Sequence, residues 1–409
     1  MNQPTMKTCS LFATALLLFP AGALAAAEPV SLSDAFAKGK VSLNLRLRDE
    51  RVAQTGLRDA EALTLRTRLG FTTAAWQGWK AMIEAENITA VDGDSYSQAG
   101  LNPGGTGKAV IADPETTEIN QAWVASTMDK TTLTLGRQRL VLDNARFVGD
   151  VAWRQNMQTF DAAVLQDKSL EKTILTYAYL NRINRVFGDE HAQGYWKSSS
   201  HLFNASYAGL PAGTWTAYAY LLDFRKPAYA ANSCATYGLS FAGATKLNDA
   251  LKLTYRAEFA QQADGGSSLL NYSTSYYDLE AGLVAKQASV TLGHEVLGSD
   301  RNIGFKTPLA TLHAFNGWAD LFLTTPAAGL RDTFVKATAT LPAGISLLAF
   351  EHWYETQATG VSLGSEFNAQ VSRKFGRAVT GLIKFADFRR DNLAFPNVRK
   401  FWLQVEYTY

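Results

Sequence analysis

From Phe401 to Tyr409 apolar and polar positions alternate: Phe401, Leu403, Val405, Tyr407 and Tyr409 share one face, and Trp402, Gln404, Glu406 and Thr408 the other. A period of two is the strand signature, and unlike faces suit a strand with lipid on one side and water on the other. The chain stops on an aromatic residue at full register, as closing strands of outer-membrane barrels do. The same alternation recurs upstream. It predicts strands at 40–51, 60–73, 79–90, 116–127, 131–140, 158–167, 173–186, 201–210 and 214–224. It continues at 236–245, 251–262, 273–285, 288–298, 332–341, 345–356, 364–373, 378–389 and 398–409. The total is about 18, an even number, and each segment is near the ~9–11 residues a tilted strand needs to cross a bilayer. The predicted fold is all-β: a transmembrane, up-and-down antiparallel barrel.

Connection lengths support this. Short turns at 75–77, 128–130, 211–213, 286–287, 342–344 and 374–377 alternate with longer polar loops at 91–115, 141–157, 187–200, 225–235, 263–272, 299–331 and 390–397. Short periplasmic turns and long external loops are the habit of such barrels, with both chain ends periplasmic.

Alternation also assigns the lumen. In the first strand Val41, Leu43, Leu45 and Leu47 face lipid, turning Ser42, Asn44, Arg46 and Arg48 inward. In the second, Leu63, Leu65, Leu69 and Phe71 turn Thr64, Arg66, Arg68 and Thr72 inward; in the third, Trp79, Ala81, Ile83 and Ala85 turn Lys80, Glu84 and Glu86 inward. An Arg or Lys facing mid-bilayer lipid costs about 2–4 kcal/mol, so the assignment is energetic. A turn centred on Trp76 places Arg66 opposite Glu86 and Arg68 opposite Glu84, leaving Arg46 and Arg48 as a positive patch with no facing acid. Further round, Lys252, Arg256, Lys336 and Lys400 point inward together with Glu258, Glu280, Glu366 and Glu406. Such charges either select solutes or only solvate and stiffen the lumen. At 133–139 strict alternation puts Arg137 and Arg139 on the face of Leu133 and Leu135. A bulge at Gly136 that swings them inward is expected, the alternative being that the strand has left the hydrocarbon.

Two loops are too apolar for idle surface. The segment 141–155 holds Arg146, Phe147, Trp153 and Arg154, and suits either a fold back into the lumen, where both arginines meet solute, or a packed loop held by Asp–Arg pairs. The segment 307–326, bracketed by prolines, holds His313, Phe315, Asn316, Gly317, Trp318 and Asp320. Its interior suits a short helix, and it reads as a gate, a plug or a folding element.

At the other terminus Lys7, the apolar run 11–20 and Ala23-Leu24-Ala25 form a secretory signal peptide, 1–25, leaving 26–409 as one barrel domain. Cys9 leaves with it. Cys234 then has no intrachain partner and is expected as an inert thiol in a polar loop. The chain holds 39 Lys and Arg against 37 Asp and Glu. With Lys7 removed it is close to neutral, which argues against nucleic acid as a partner. No later apolar run reaches the ~18 residues of a helical span. The 16 Tyr, 22 Phe and 9 Trp suffice for aromatic girdles at both interfaces. His191, His201, His294, His313 and His352 show neither metal spacing nor a nucleophile–base motif, so no enzyme, cofactor or metal is expected.

Residues 135–138, 143–149, 153–156, Phe160-Asp161 and 307–320 together resemble the alginate export family, over about Val41 to Tyr409. The resemblance implies an eighteen-stranded monomeric outer-membrane barrel that passes an anionic uronate polysaccharide outward through an arginine-rich lumen. It makes Arg46, Arg66, Arg137 and Arg154 anion contacts. The near-neutral charge departs from that pattern. The expected protein is therefore a passive channel of a Gram-negative outer membrane for anionic or polar solutes, either exporting polysaccharide or taking up nutrients. Its expected partners are outer-membrane lipid and lipopolysaccharide, the barrel-assembly machinery and the solute.

Overall fold

A computed structural model gives the structure, described for residues 30–409; the expected signal peptide lies outside the described residues. After a short helix α1 (Leu32–Ala37) come β1 (Lys40–Gln54), β2 (Ala60–Thr72), β3 (Trp79–Ala90), β4 (Thr116–Met128), β5 (Thr131–Gln138), β6 (Thr159–Asp167), β7 (Thr173–Asn184), β8 (Tyr195–Leu210) and β9 (Gly213–Leu222). They are followed by β10 (Cys234–Lys246), β11 (Lys252–Asp264), β12 (Ser273–Val284), β13 (Ala288–Leu297), β14 (Leu330–Leu341), β15 (Ile345–Glu355), β16 (Ser362–Phe375), β17 (Val379–Arg390) and β18 (Val398–Thr408). Each pairs antiparallel with its neighbours in sequence, and β1 pairs with both β2 and β18, so the ring of eighteen closes. At the seam the amide of Tyr409 donates to the Leu43 carbonyl at 2.9 Å. Closure leaves no open sheet edge in lipid, where an unpaired backbone group costs several kcal/mol.

The outer wall is apolar. Leu47, Leu69, Ile83, Leu239, Phe259, Leu292, Val371 and Leu403 all stand exposed on it. At roughly 25 cal/mol per Å² such a belt is costly in water and natural in lipid. Trp79, Tyr207 and Trp215 mark its edge at the end with the short turns, and Tyr237 and Trp353 the other. All the long connections leave the second end; 91–115, 139–158 and 298–329 are the longest.

Most strands fall within a few residues of expectation. β8 starts at Tyr195 rather than 201, because Trp196, Ser198 and Ser200 continue the inward alternation and Trp196 stacks on Tyr229 at 5.2 Å. Cys234 lies in no polar loop: it opens β10 and is fully buried beside Thr236. The interior of 307–326 forms only a single 3₁₀ turn, Leu312–Ala314.

Two registers correct the sequence reading. Gln77 and Gly78 (φ 50° and 81°) make a two-residue turn between Trp76 and Trp79, of the left-handed kind that matches strand twist. That shifts β2–β3 by two residues: Arg68 faces Glu86, Gly70 faces Glu84, and Arg66 faces Ile88. The bulge expected at Gly136 is absent. Pairing of β5 runs unbroken past Gly136, which takes a φ of 118°, so Arg137 stays on the outward face of Leu133 and Leu135. There it pairs with Asp161 at 2.8 Å and donates to the Ile119 carbonyl. Arg139, beyond the strand, pairs with Asp150.

Candidate functional site: a loop-built constriction

The loops 139–158 and 298–329 fold into the ring and join each other. Val148 and Leu309 form a parallel bridge, the Gly149 amide donates to the Leu309 carbonyl at 2.8 Å, and the Thr311 amide donates to the Ala145 carbonyl at 3.0 Å. A Cβ on Gly149 would collide with the Thr311 hydroxyl and the Ala145 methyl. Gly149→Val should separate the loops and lower stability by about 1–3 kcal/mol, read as a shifted urea midpoint with the barrel spectrum retained.

Behind this junction stands a column of arginines. Arg46 and Arg66 lie directly opposite each other on β1 and β2, an arrangement that repels. Glu406 of β18 relieves it, with one carboxylate oxygen 3.2 Å from each guanidinium. The loop supplies the rest through its backbone. Arg46 donates to the carbonyls of Ala152, Trp153 and Arg154, Arg48 to Trp153 at 2.6 Å, and Arg66 and Arg68 both to Gln155. Arg48 also meets Asp113 of the 91–115 loop at 3.4 Å, and Arg68 pairs with Glu86. The expectation that Arg46 and Arg48 lack a facing acid is thus corrected. The second strand presents only Thr64, Arg66 and Arg68 to them, but the ring also brings the closing strand against the first. Glu84, next to this column, accepts from Asn120 and Gln121.

Arg154 crosses from the first loop to Glu50 of β1 (3.1 Å) and to Asp320 of the second loop (2.8 Å). Asp320 is a hub. It also receives Lys400 of β18 at 2.6 Å and the His313 Nδ1 at 2.7 Å. The Nε2 of His313 accepts from Lys384 of β17 at 2.7 Å. That ammonium sits among indoles, 3.7 Å from the ring centre of Trp318 and 3.9 Å from that of Trp153. Both loops and the wall therefore converge on one carboxylate and one lysine.

On another sector Arg146 pairs with Glu295 of β13 at 2.5 Å and donates to Asn316, whose amide in turn donates to Glu295 and Asp332. Arg256 pairs with Glu258 and, at 3.3 Å, with Asp278. The inward faces of β5 to β10 carry hydroxyls, amides and rings, with Tyr218 stacked on Tyr220 at 4.8 Å. The lumen thus has a basic sector on β17, β18, β1 and β2, an acidic one on β11 to β14, and an uncharged one between β5 and β10. Arg46, Arg48, Arg66, Arg68, Arg146, Arg154 and Arg256 all lie inside the ring, each against a carboxylate; Arg137 lies outside it.

A closed eighteen-stranded ring with an apolar belt and infolded loops can be set beside known proteins. The fold is that of the Occ/Opd outer-membrane porins. Pseudomonas aeruginosa OccK9 (OpdG) superposes with a TM-score of 0.72 at 12% identity, covering 92% of this chain and 100% of that one. Acinetobacter baumannii OccAB2 gives 0.73 at 14% identity, covering 92% and 99%. Pseudomonas aeruginosa OpdK, solved with vanillate, gives 0.71 at 12% identity, covering 90% and 98%. These are likenesses of fold. In sequence, residues 39–177 match the alginate export family, a span that contains the arginine column and the first infolded loop but not 307–320. No curated protein matches the chain.

Two residues of this barrel's constriction escaped the sequence reading. Lys384 and Asp113 belong to no motif, because their roles arise from strands and loops far apart in the chain. Its place between Ile383 and Phe385 in an alternating strand is the signal that could have found Lys384. His313 carries a pH consequence. Burial pushes its pKa well below the ordinary histidine value, with Lys384 and Arg154 acting the same way and Asp320 opposing. It stays neutral in the folded loop while the unfolded chain takes up a proton near pH ~6.5. The stability of this latch is therefore full above that pH and declines below it. Recordings should show more frequent opening as pH falls from about 7 to about 5, and His313→Gln should flatten that dependence.

Proposed function

We propose that the protein is a passive channel of a Gram-negative outer membrane, through which small polar and anionic solutes diffuse. The observation that carries this reading is the constriction. Barrels of 16–18 strands enclose an aqueous lumen, and here two loops cross it, pinned by buried ion pairs beside four arginines. Filtering is then steric by loops and electrostatic by wall charges. The near-neutral composition and the vanillate-bearing OpdK structure both favour a small solute over a long polyanion. The second reading, export of a uronate polysaccharide, draws on the family match over 39–177, which holds Arg46 and Arg66. Lipopolysaccharide and outer-leaflet lipid would meet the apolar belt, the barrel-assembly machinery would insert the chain after the leader is removed, and one chain would suffice as a monomeric pore.

Proteoliposome swelling separates the two readings. Uptake is expected to be fast for sodium salts of small monocarboxylates and for pentoses, falling steeply with size, with uronate oligomers of about ten sugars impermeant. Equal permeation by such oligomers would favour the exporter.

A further inference from the structure

On the outer wall near the loop-bearing end, β7 and β8 set Arg182 directly opposite Lys197. Trp196 and Ser198 are buried and turn inward, so Lys197 stands exposed outside the ring, with Tyr195 beyond it on the same face. Two cations sit over the Tyr195 ring. The Arg182 guanidinium lies 3.9 Å from its centre, and the ammonium of Lys226, from the connection after β9, lies 4.6 Å from it. Like charges facing each other across a strand pair repel. Between Arg46 and Arg66 the chain places Glu406 to relieve this. Here Arg182 has the exposed Asp189, and among the described residues neither Lys197 nor Lys226 meets a carboxylate. Clustered cations short of acid, held on an aromatic face, suit a phosphate.

The same face continues toward the short-turn end as apolar wall. His201 comes next, its Nδ1 2.9 Å from the Tyr177 hydroxyl. Below it is a trough of about 590 Å³, floored by Ala205, Ala217 and Ala219 between Leu165, Tyr177 and Phe203. The depression exists because β8 and β9 pair Ala205 with Ala217 and Phe203 with Ala219, so small side chains meet on one stretch of wall. From Lys197 to Phe203 along β8 is roughly 20 Å at ~3.3 Å per residue. That reach carries a molecule from headgroup level into the ~30 Å hydrocarbon core.

We propose that this sector of the outer wall binds a phosphorylated, acylated glycolipid of the outer leaflet, its phosphate on Arg182, Lys197 and Lys226 and an acyl chain in the alanine trough. The proposal rests on the outer-membrane reading, with the loop-bearing end facing outward. It gives that lipid one fixed position, where the apolar belt alone would accept any lipid at any point of the ring. A free phosphate would satisfy the cations and leave the trough empty, so the two-part site selects a lipid.

Native mass spectrometry of the full-length protein in detergent, with each lipid added at equal concentration, tests it. Bis-phosphorylated, hexa-acylated lipid A should be retained, and phosphatidylglycerol at least five-fold less. Lys197→Gln combined with Lys226→Gln should cut retention of lipid A at least five-fold. Ala219→Trp, which fills the trough and spares the charges, should cut it as well. Arg389→Gln, an exposed guanidinium on β17 across the ring, should leave it unchanged. Phosphatidylglycerol held as tightly as lipid A, displacement of lipid A by excess inorganic phosphate, or equal retention by wild type and both site variants would each overturn the site. Bilayer currents judge the channel separately. A protein that passes no current yet loses lipid A in both variants overturns the channel reading and upholds the lipid site.

Discussion

Replacing Asp320 by alanine should open the pore: single-channel conductance at least doubles, and the current becomes noisier. Asp320 is where the second loop meets Lys400 of the wall, Arg154 of the first loop and its own His313. Removing the carboxylate leaves Lys400 buried without its counter-charge beside Arg154, which keeps Glu50. Breaking a buried pair by deleting one partner costs about 3–5 kcal/mol, far above the worth of a surface pair. The loops relieve that cost by leaving the lumen, because water is available there and the strands do not depend on them. The barrel should stay intact, with unchanged strand content by circular dichroism. Conductance equal to wild type would show that the loops are held by the Arg146–Glu295–Asn316 cluster and not by this hub.

Glu406→Gln should raise the preference for anions roughly two- to five-fold, which corresponds to about 0.4–1 kcal/mol at the narrowest point. Glu406 is the carboxylate shared by Arg46 and Arg66, which face each other across β1 and β2. The amide preserves shape and still accepts a hydrogen bond, but it carries no charge, so two guanidinia present their field to the lumen. Reversal potentials in a potassium chloride gradient read the change. An unaltered chloride-to-potassium permeability ratio would mean that solutes pass elsewhere, along the uncharged sector of β5 to β10.

The strands were legible in the sequence because the bilayer enforces alternation: each inward Arg46, Arg48, Arg66 or Lys336 is fixed by the cost of its opposite placement. What pairs with what was less legible. The β2–β3 register depended on whether the turn centred on Trp76 or on Gln77 and Gly78, a difference of one or two residues that exchanges one arginine's partner for another's. Glu406 as the partner of Arg46 required closing the ring, and no local pattern announces a contact across some 360 residues. Arg137 was misread for a related reason. Its outward position is permissible only where a strand leaves the hydrocarbon, and depth is not written in a period of two. The infolding of 141–155 and 307–326 was indicated by apolar content alone; their junction through Gly149 and Thr311 was not.

The most direct test is the current through purified full-length protein inserted in a planar lipid bilayer. The structure predicts discrete, steady, ohmic steps at neutral pH, small for an eighteen-stranded ring because the loops occupy much of it. Inserted protein with intact strand content that gives no steps would mean a filled barrel, and would contradict the account.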